Sequence, residues 1–336
     1  MSLPRKPNIS VIVPYHNEGK AVLRTLNRLV AQTLPPAEIL MIDSSSTDDG
    51  PDLLERWLQS RKISRPRIRS VRLGSTTPSS SKNLGILLAR CPWVGFMDCG
   101  HLFFPQWLED QWRLIASTHR PVYGKCRFTG HGPFDSCAVA QTYGLGNEVE
   151  TIPGSLMKKS LFQKVGFFAE NRRAGYDVAW RKRASDCKVS FLVSPLPNIR
   201  YESTEVADHS LYLFFKSVSY ARATLGLGSA NFVQKYFLLS LVVSLALWAR
   251  PAWWPGFLLL YLVGRGFIWP AWRSAKIAPL FQRYPQALVL LPWTGFLCDF
   301  GRILGIFTGL FAGTNREHDF RFEPISTGKR SEKKSH

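Results

Sequence analysis

The sequence predicts an α/β fold, a mixed and mostly parallel sheet, followed by an apolar helical region. Three observations point there. Short apolar runs at Ile9–Val13, Ile39–Ile42 and Trp93–Met97 each stop at a polar cluster. Segments with helical apolar spacing separate those runs. The last third of the chain then turns strongly apolar. Strands alternating with helices imply right-handed crossovers and parallel pairing. In such sheets, residues just past the carboxyl ends of strands share one crevice where ligands bind. Acids far apart in sequence can therefore meet at one ligand.

The elements follow in order. After the first strand, Val22, Leu23, Leu26, Leu29 and Val30 recur at helical spacing, and Pro35-Pro36 ends that helix. The second strand opens into Asp43-Ser44-Ser45-Ser46-Thr47-Asp48, and a helix through Leu53, Leu54 and Trp57 follows. Ile68–Leu73 reads as the third strand. A Ser/Thr-rich loop over 75–81 leads into a helix carrying Leu84, Ile86, Leu87 and Leu88. The fourth strand ends at Met97, just before Asp98-Cys99-Gly100-His101. Pro105 suits the first turn of a helix through Trp107, Leu108 and Trp112. From Val122 to Tyr201 the pattern is less regular, which predicts mixed strands and short helices closing one side of the crevice. Residues 1–206 form the predicted catalytic-type domain, and 207–235 a linker that opens as an amphipathic helix over 207–224.

Residues 236–313 hold four apolar stretches, at 236–249, 251–264, 286–298 and 303–313. Each is shorter than the ~20 residues that span a bilayer core. Arg250 is the sole charge between Tyr236 and Gly264, so the first two stretches suit a hairpin with its tip near Pro251 and Pro255. Lys235 and Arg265 would lengthen its arms by snorkelling. Six tryptophans, at 248, 253, 254, 269, 272 and 293, suit an interfacial belt. The last two stretches, interrupted by Asp299 and Arg302, are expected to form a re-entrant or in-plane pair. Basic residues after the hairpin and in the 314–336 tail place both ends in the cytoplasm. The expected location is the inner (plasma) membrane, with the N-terminal domain cytoplasmic and the tail disordered.

Lys and Arg number 43 against 24 acids in 336 residues, a formal net charge of +19. That balance suits a polyanionic partner. No zinc finger or basic helix is present, which argues against nucleic acid, and the apolar C-terminal third favours an anionic membrane surface. The six cysteines show neither a CxxC pair nor zinc spacing and read as reduced thiols.

The polar clusters carry the chemistry. Ile9-Ser10-Val11-Ile12-Val13-Pro14-Tyr15-His16-Asn17-Glu18 resembles the opening strand of family 2 glycosyltransferases of the GT-A fold, in particular membrane-associated bacterial members. Ala31-Gln32-Thr33-Leu34-Pro35-Pro36, Ile42-Asp43-Ser44-Ser45-Ser46-Thr47-Asp48, Asn83-Leu84-Gly85, Phe96-Met97-Asp98 and Pro105-Gln106-Trp107-Leu108-Glu109 continue the resemblance, which covers about residues 8–202. It implies an inverting transfer of a sugar from a nucleoside-diphosphate-sugar donor to a hydroxyl acceptor. The apolar C-terminus suggests that the acceptor is lipid-linked or membrane-delivered.

By that resemblance, Asp43 reads the base. Its carboxylate can accept from an imide N–H, and a matched acceptor discriminates strongly because a wrong base leaves it unpaired. The bland alternative is a helix cap, although Thr47 or Asp48 is the better cap candidate. Pro14, Tyr15 and Glu18 would line the nucleotide, with Glu18 equally at home as a first-turn helix acid. Asp98 would touch the ribose or a metal held by the diphosphate. Lys82, beside Asn83 in the donor-binding set, would offset leaving-group charge. Asp177, in Ala174-Gly175-Tyr176-Asp177, stands where the family has its catalytic base, with a helix N-cap as the alternative.

Three departures matter. Gly100 replaces the second acid of the aspartate motif, Tyr176 replaces a glutamate beside the base, and Tyr201 stands where many relatives carry a histidine. A divalent cation, Mg or Mn, wants several oxygen ligands. Here it would have Asp98, diphosphate and water, with His101 a weak addition. The departures also support a rival reading, a non-catalytic relative serving as a membrane scaffold or nucleotide-sugar-binding partner. A soluble nucleotidyltransferase lacks support, since no glycine-rich, arginine-containing loop follows the first strand.

Overall fold

The computed structural model describes residues 7–61, 66–170, 172, 174–195, 197, 199–202, 210–225, 238, 241–245, 248 and 250–311. Arg173, Asn198, most of the 236–249 stretch and the 314–336 tail of the sequence reading lie outside those residues.

β1 (Ile9–Tyr15), β2 (Glu38–Asp43), β3 (Arg67–Arg72) and β4 (Trp93–Phe96) pair in parallel in the order β3-β2-β1-β4. β1 extends two residues beyond the apolar run, because Pro14 and Tyr15 still pair with Ile42 and Asp43 of β2. Alternation along β1 splits the core. Ile9, Val11 and Val13 face one apolar cluster and Ile12 faces the other. Both faces are covered, which is why this strand reads as a continuous apolar run.

α1 (Ala21–Val30), α2 (Gly50–Ser60) and α4 (Trp107–Thr118) pack on the first face, through Leu26, Leu29, Leu54 and Trp107. α3 (Pro78–Leu88) packs on the second. α3 starts earlier than expected: the Ser/Thr segment is its first turn, and Thr77 caps it by accepting from the Ser80 amide. α3 comes very close to the sheet at Gly85, where an added Cβ would lie 2.3 Å from Ile12 Cγ2.

The second half reverses direction. β7 (Glu148–Lys158) runs antiparallel to β4 and to β6 (Val122–Thr129). β9 (Ile199–Glu202) and β8 (Leu192–Val193) join β6 in parallel, and β5 (Leu102–Phe103) closes antiparallel on β9. α5 (Gly132–Thr142), α6 (Ser160–Val165) and α7 (Tyr176–Asp186) connect them. Ile152-Pro153-Gly154-Ser155 lies buried inside β7. There the Gly154 carbonyl accepts from Trp107 Nε1 and Gln111 Nε2, both at 2.9 Å.

The apolar region is built differently from the expectation. Within the described residues a helix, α8 (Ser210–Thr224), lies over the predicted 207–224 segment and exposes Leu211 and Phe215. α9 (Trp254–Val263) runs on through a π-helical turn at Gly264–Ile268 into α10 (Trp269–Arg273), and α11 (Ala278–Arg283) follows. The last two apolar stretches are not a re-entrant pair. They form one helix, α12 (Ala287–Phe311). Asp299 does not interrupt it, because Arg265 Nε meets its carboxylate at 2.6 Å, Tyr261 Oη donates to it at 3.2 Å and Arg302 Nη1 lies 3.3 Å away. A charge neutralised across helices does not break the helix that carries it.

α12 packs along α8 through glycines at 301, 305 and 309, four residues apart on one face. A Cβ at Gly305 would lie 2.4 Å from the Val218 carbonyl oxygen. α12 also docks on α5, where Gln141 Nε2 donates to the Leu291 carbonyl at 2.8 Å. Among the described residues, only 287–310 form a helix long and apolar enough to cross a membrane, and 44% of that stretch is buried against protein.

Candidate active site

The carboxyl ends of β1, β2 and β4 lie side by side, so the segments that leave them share one edge of the sheet. At the first two ends, Tyr15 sits opposite Asp43. Asp43 is buried and closes the following turn: its Oδ1 accepts from the Ser46 amide at 2.9 Å and from Ser46 Oγ at 2.6 Å. Its Oδ2 lies 3.4 Å from Arg72 Nε and has no hydrogen bond among the described residues. Asp43 thus holds its own turn with one oxygen, while the other, buried, faces the Arg72 guanidinium. Asp48 takes the helix-cap work instead, accepting from the Gly50 amide at 3.1 Å and from the Gly19 amide at 2.7 Å. Burial, and then the Asp43 charge, push the Tyr15 phenol well above its ordinary pKa. Pro14 is half-buried beside them.

At the end of β4, Lys82 reaches across from α3. Its Nζ lies 2.6 Å from Asp98 Oδ1 and donates to the Tyr176 hydroxyl at 3.0 Å. Lys82 is 0% exposed. Burial pulls its pKa down, but Asp98 and Tyr176 more than reverse that, and the ammonium stays charged. Burial raises the Asp98 carboxyl, yet the Lys82 charge, then His101, leave it below the ordinary value. The expectation that Lys82 faces the diphosphate is corrected here: with no exposed surface, it acts through Asp98. Burial, with Lys82 nearby, lowers the His101 pKa despite Asp98, so the imidazole is neutral at pH 7. Its ring meets Tyr201 edge-on at 5.1 Å.

Asn83 is also corrected. Its Nδ2 donates to the Phe168 carbonyl at 2.9 Å and its Oδ1 accepts from the Phe168 amide at 3.0 Å. The amide is buried and faces the Phe168 backbone, so it is not presented to the cleft. One turn earlier, Ser79 Oγ donates to the Arg172 carbonyl at 2.9 Å. Ser79, Lys82 and Asn83 thus form one polar stripe on α3 that holds the 168–176 segment in place. Sequence reasoning missed that stripe and the part Tyr176 plays in it, though the i, i+3, i+4 spacing of polar residues was a visible signal.

That segment delivers Asp177. Gly175 adopts a left-handed φ of 75° at the start of α7, and Asp177 follows half-exposed in the first turn. Tyr176, beside it, packs edge-on against Phe168 at 5.6 Å. Lys82 therefore ties the Asp98 loop to the start of α7.

A divalent cation here would have Asp98 as its side-chain ligand and would need several further oxygens. Asp98 is already neutralised by Lys82, and Gly100 holds a left-handed φ of 80° where a second acid would be needed. A Cβ there would lie 3.3 Å from Glu18 Oε2, which puts the Glu18 carboxylate beside the Asp98–Gly100 turn. Among the described residues no three His, Cys, Asp or Glu side chains gather into a metal site.

A family model described as Glycosyl transferase family 2 matches residues 10–178. The chain is 26% identical over 196 residues to Glycosyltransferase AglE of Haloferax volcanii, covering 55% of this chain and 63% of that protein. It is 28% identical over 207 residues to an uncharacterized glycosyltransferase of Rickettsia felis, covering 57% of this chain and 33% of that one. The chain thus spans between a third and two thirds of these relatives' length. A mannosyltransferase from Pyrobaculum calidifontis, solved with GDP-Man and Mn2+, is similar with a TM-score of 0.47 and 16% identity, over 92% of this chain and 76% of that one.

Proposed function

Because this chain belongs to glycosyl transferase family 2, we propose that it moves a sugar from a nucleoside-diphosphate donor to an acceptor hydroxyl, with inversion. The observation that supports the reading is the Lys82 bridge, which ties Asp98 to Tyr176, the residue before Asp177 at the start of α7. Asp43, at the end of β2, reads the base in this reading. Asp98 faces the ribose and diphosphate. Its charge is compensated by Lys82, so an anionic donor approaches a neutral pair instead of a bare carboxylate. Asp177 takes the proton from the acceptor hydroxyl as that oxygen bonds to the anomeric carbon. The sugar–phosphate bond breaks and the nucleoside diphosphate leaves with its electron pair. General base catalysis of this kind typically contributes about 10²–10⁴-fold. No step depends on a resident metal; a cation arriving with the diphosphate would add charge neutralisation.

The acceptor in this reading is delivered by a membrane. α12 and the exposed apolar side chains of α8 and α9 support it, and the overall positive charge suits an anionic surface. The catalytic domain then works at the cytoplasmic face. The scaffold reading rests on Gly100 and Tyr201. A titration with uridine, guanosine and thymidine diphosphates, with and without Mn²⁺, separates the two. Saturable binding of one diphosphate together with radiolabelled sugar transfer supports the enzyme, and the absence of binding under every condition supports the scaffold.

A further inference from the structure

A second cavity, of about 170 Å³, lies where α5, α8, α12 and the end of β9 meet. Tyr143, Tyr201 and Tyr220 wall it, and Lys216, Arg302 and Asp135 bring charge to its lining. Two cations thus face one carboxylate. Asp135 is held by the His131 amide, which donates to its Oδ2 at 2.8 Å, and Arg302 by Asp299. Lys216 differs. Its Nζ stands 5.8 Å from the Tyr201 ring centre and 5.7 Å from that of Tyr212, and among the described residues no carboxylate pairs with it. An ammonium held among aromatic rings is stabilised by their faces, and a partly buried one with no carboxylate partner can also take an anion.

The cavity is linked to the cleft on one side and to apolar surface on the other. Tyr201, in its wall, meets His101, which lies in the field of Asp98. On the far side, Leu211 and Phe215 of α8 are 70% and 61% exposed, and Phe307 and Leu310 of α12 are exposed as well.

We propose that this cavity is the head-group pocket for the acceptor, holding the phosphate of a lipid-linked acceptor whose apolar chain lies along α8 and α12. The proposal rests on the glycosyl-transfer reading. Lys216 supplies the partner charge for the phosphate, and the tyrosine hydroxyls supply hydrogen bonds. The sugar of the acceptor then extends past Tyr201 and Tyr143 toward Asp177.

The full chain in detergent is titrated with farnesyl phosphate, farnesol and inorganic phosphate, as are Lys216→Met and Lys216→Arg. The expected result is saturable binding of farnesyl phosphate that is at least tenfold tighter than farnesol or inorganic phosphate. Lys216→Met should weaken it at least tenfold, and Lys216→Arg should largely restore it. Circular dichroism melts show that each variant is folded; should Lys216→Met not fold, Tyr220→Phe replaces it, with an expected threefold or greater loss. Equal binding of farnesol, or of inorganic phosphate, overturns the proposal, as does an unchanged affinity in the variants. Nucleoside diphosphate binding is measured alongside. Diphosphate binding without farnesyl phosphate binding removes this pocket alone, whereas loss of diphosphate binding in the parent chain removes the glycosyltransferase reading itself.

Discussion

Asn83 and the Phe168 backbone hold each other through two reciprocal hydrogen bonds, at 2.9 and 3.0 Å, across 85 residues of sequence. This clamp fixes the segment leading to α7, so it sets where Asp177 stands. Replacing Asn83 with Ala leaves a buried N–H and a buried C=O without partners, at about 1–3 kcal/mol each. Urea unfolding of Asn83→Ala should show a loss within that summed range, and sugar transfer should fall even where the fold persists.

Lys82 and Asp98 form a pair in which one partner is buried and the other keeps 33% side-chain exposure. Breaking a fully buried pair costs about 3–5 kcal/mol, and the partial exposure of Asp98 places this one at the lower end. Lys82→Met should therefore be markedly destabilising, while the Lys82→Met/Asp98→Asn double variant should lose less than the sum of the single losses. Additive losses would show that the two side chains do not depend on each other.

Asp43→Asn keeps a carbonyl oxygen for the Ser46 turn but loses the charge. A hydrogen bond to a charged group is worth about 1.5–3 kcal/mol. Calorimetry should show the preferred nucleoside diphosphate weakened by about tenfold or more, with poorer discrimination between bases. Unaltered discrimination would remove Asp43 from base reading.

Asp177→Asn should bind nucleoside diphosphate like the parent and lose at least a hundredfold in radiolabelled transfer, as expected for a lost general base. Parent-like turnover would end that assignment.

Glu38 supplies a pH prediction. Burial raises its carboxyl pKa, but the Arg90 amide, Ser10 and Arg69 outweigh that and hold it below the ordinary value. Its folded pKa is thus lower than its unfolded pKa. The stability it contributes is fully present above the unfolded value, about 4.3, and is lost as pH falls through the folded value. Denaturation midpoints between pH 6 and pH 3 should drop less steeply for Glu38→Gln than for the parent chain.

Much of this was legible beforehand. The first four strands, their flanking helices and the acids at their ends follow from local pattern: β1, β2 and β4, buried along their length, read as apolar runs, while the edge strand β3 shows only Ile68 and Val71 among polar residues. The helices at Tyr176 and Ser210 were visible for similar reasons. The α12 helix was not, since a charge such as Asp299 interrupts an apolar run in one dimension and is neutralised by Arg265, 34 residues away, in three. The glycines at 301, 305 and 309 were the overlooked sign that α8 and α12 lie together.

By itself, then, the sequence determined which residues carry acid, base and hydrogen-bonding chemistry and on which edge of the sheet they emerge, because periodicity and strand ends are local properties. Only the tertiary structure decided what each side chain is free to do. It buried Lys82 behind Asp98, turned Asn83 onto the Phe168 backbone, set one oxygen of Asp43 against Arg72 and opened a pocket around Lys216. Such roles depend on which partners reach a side chain first, and packing brings those partners from distant parts of the chain.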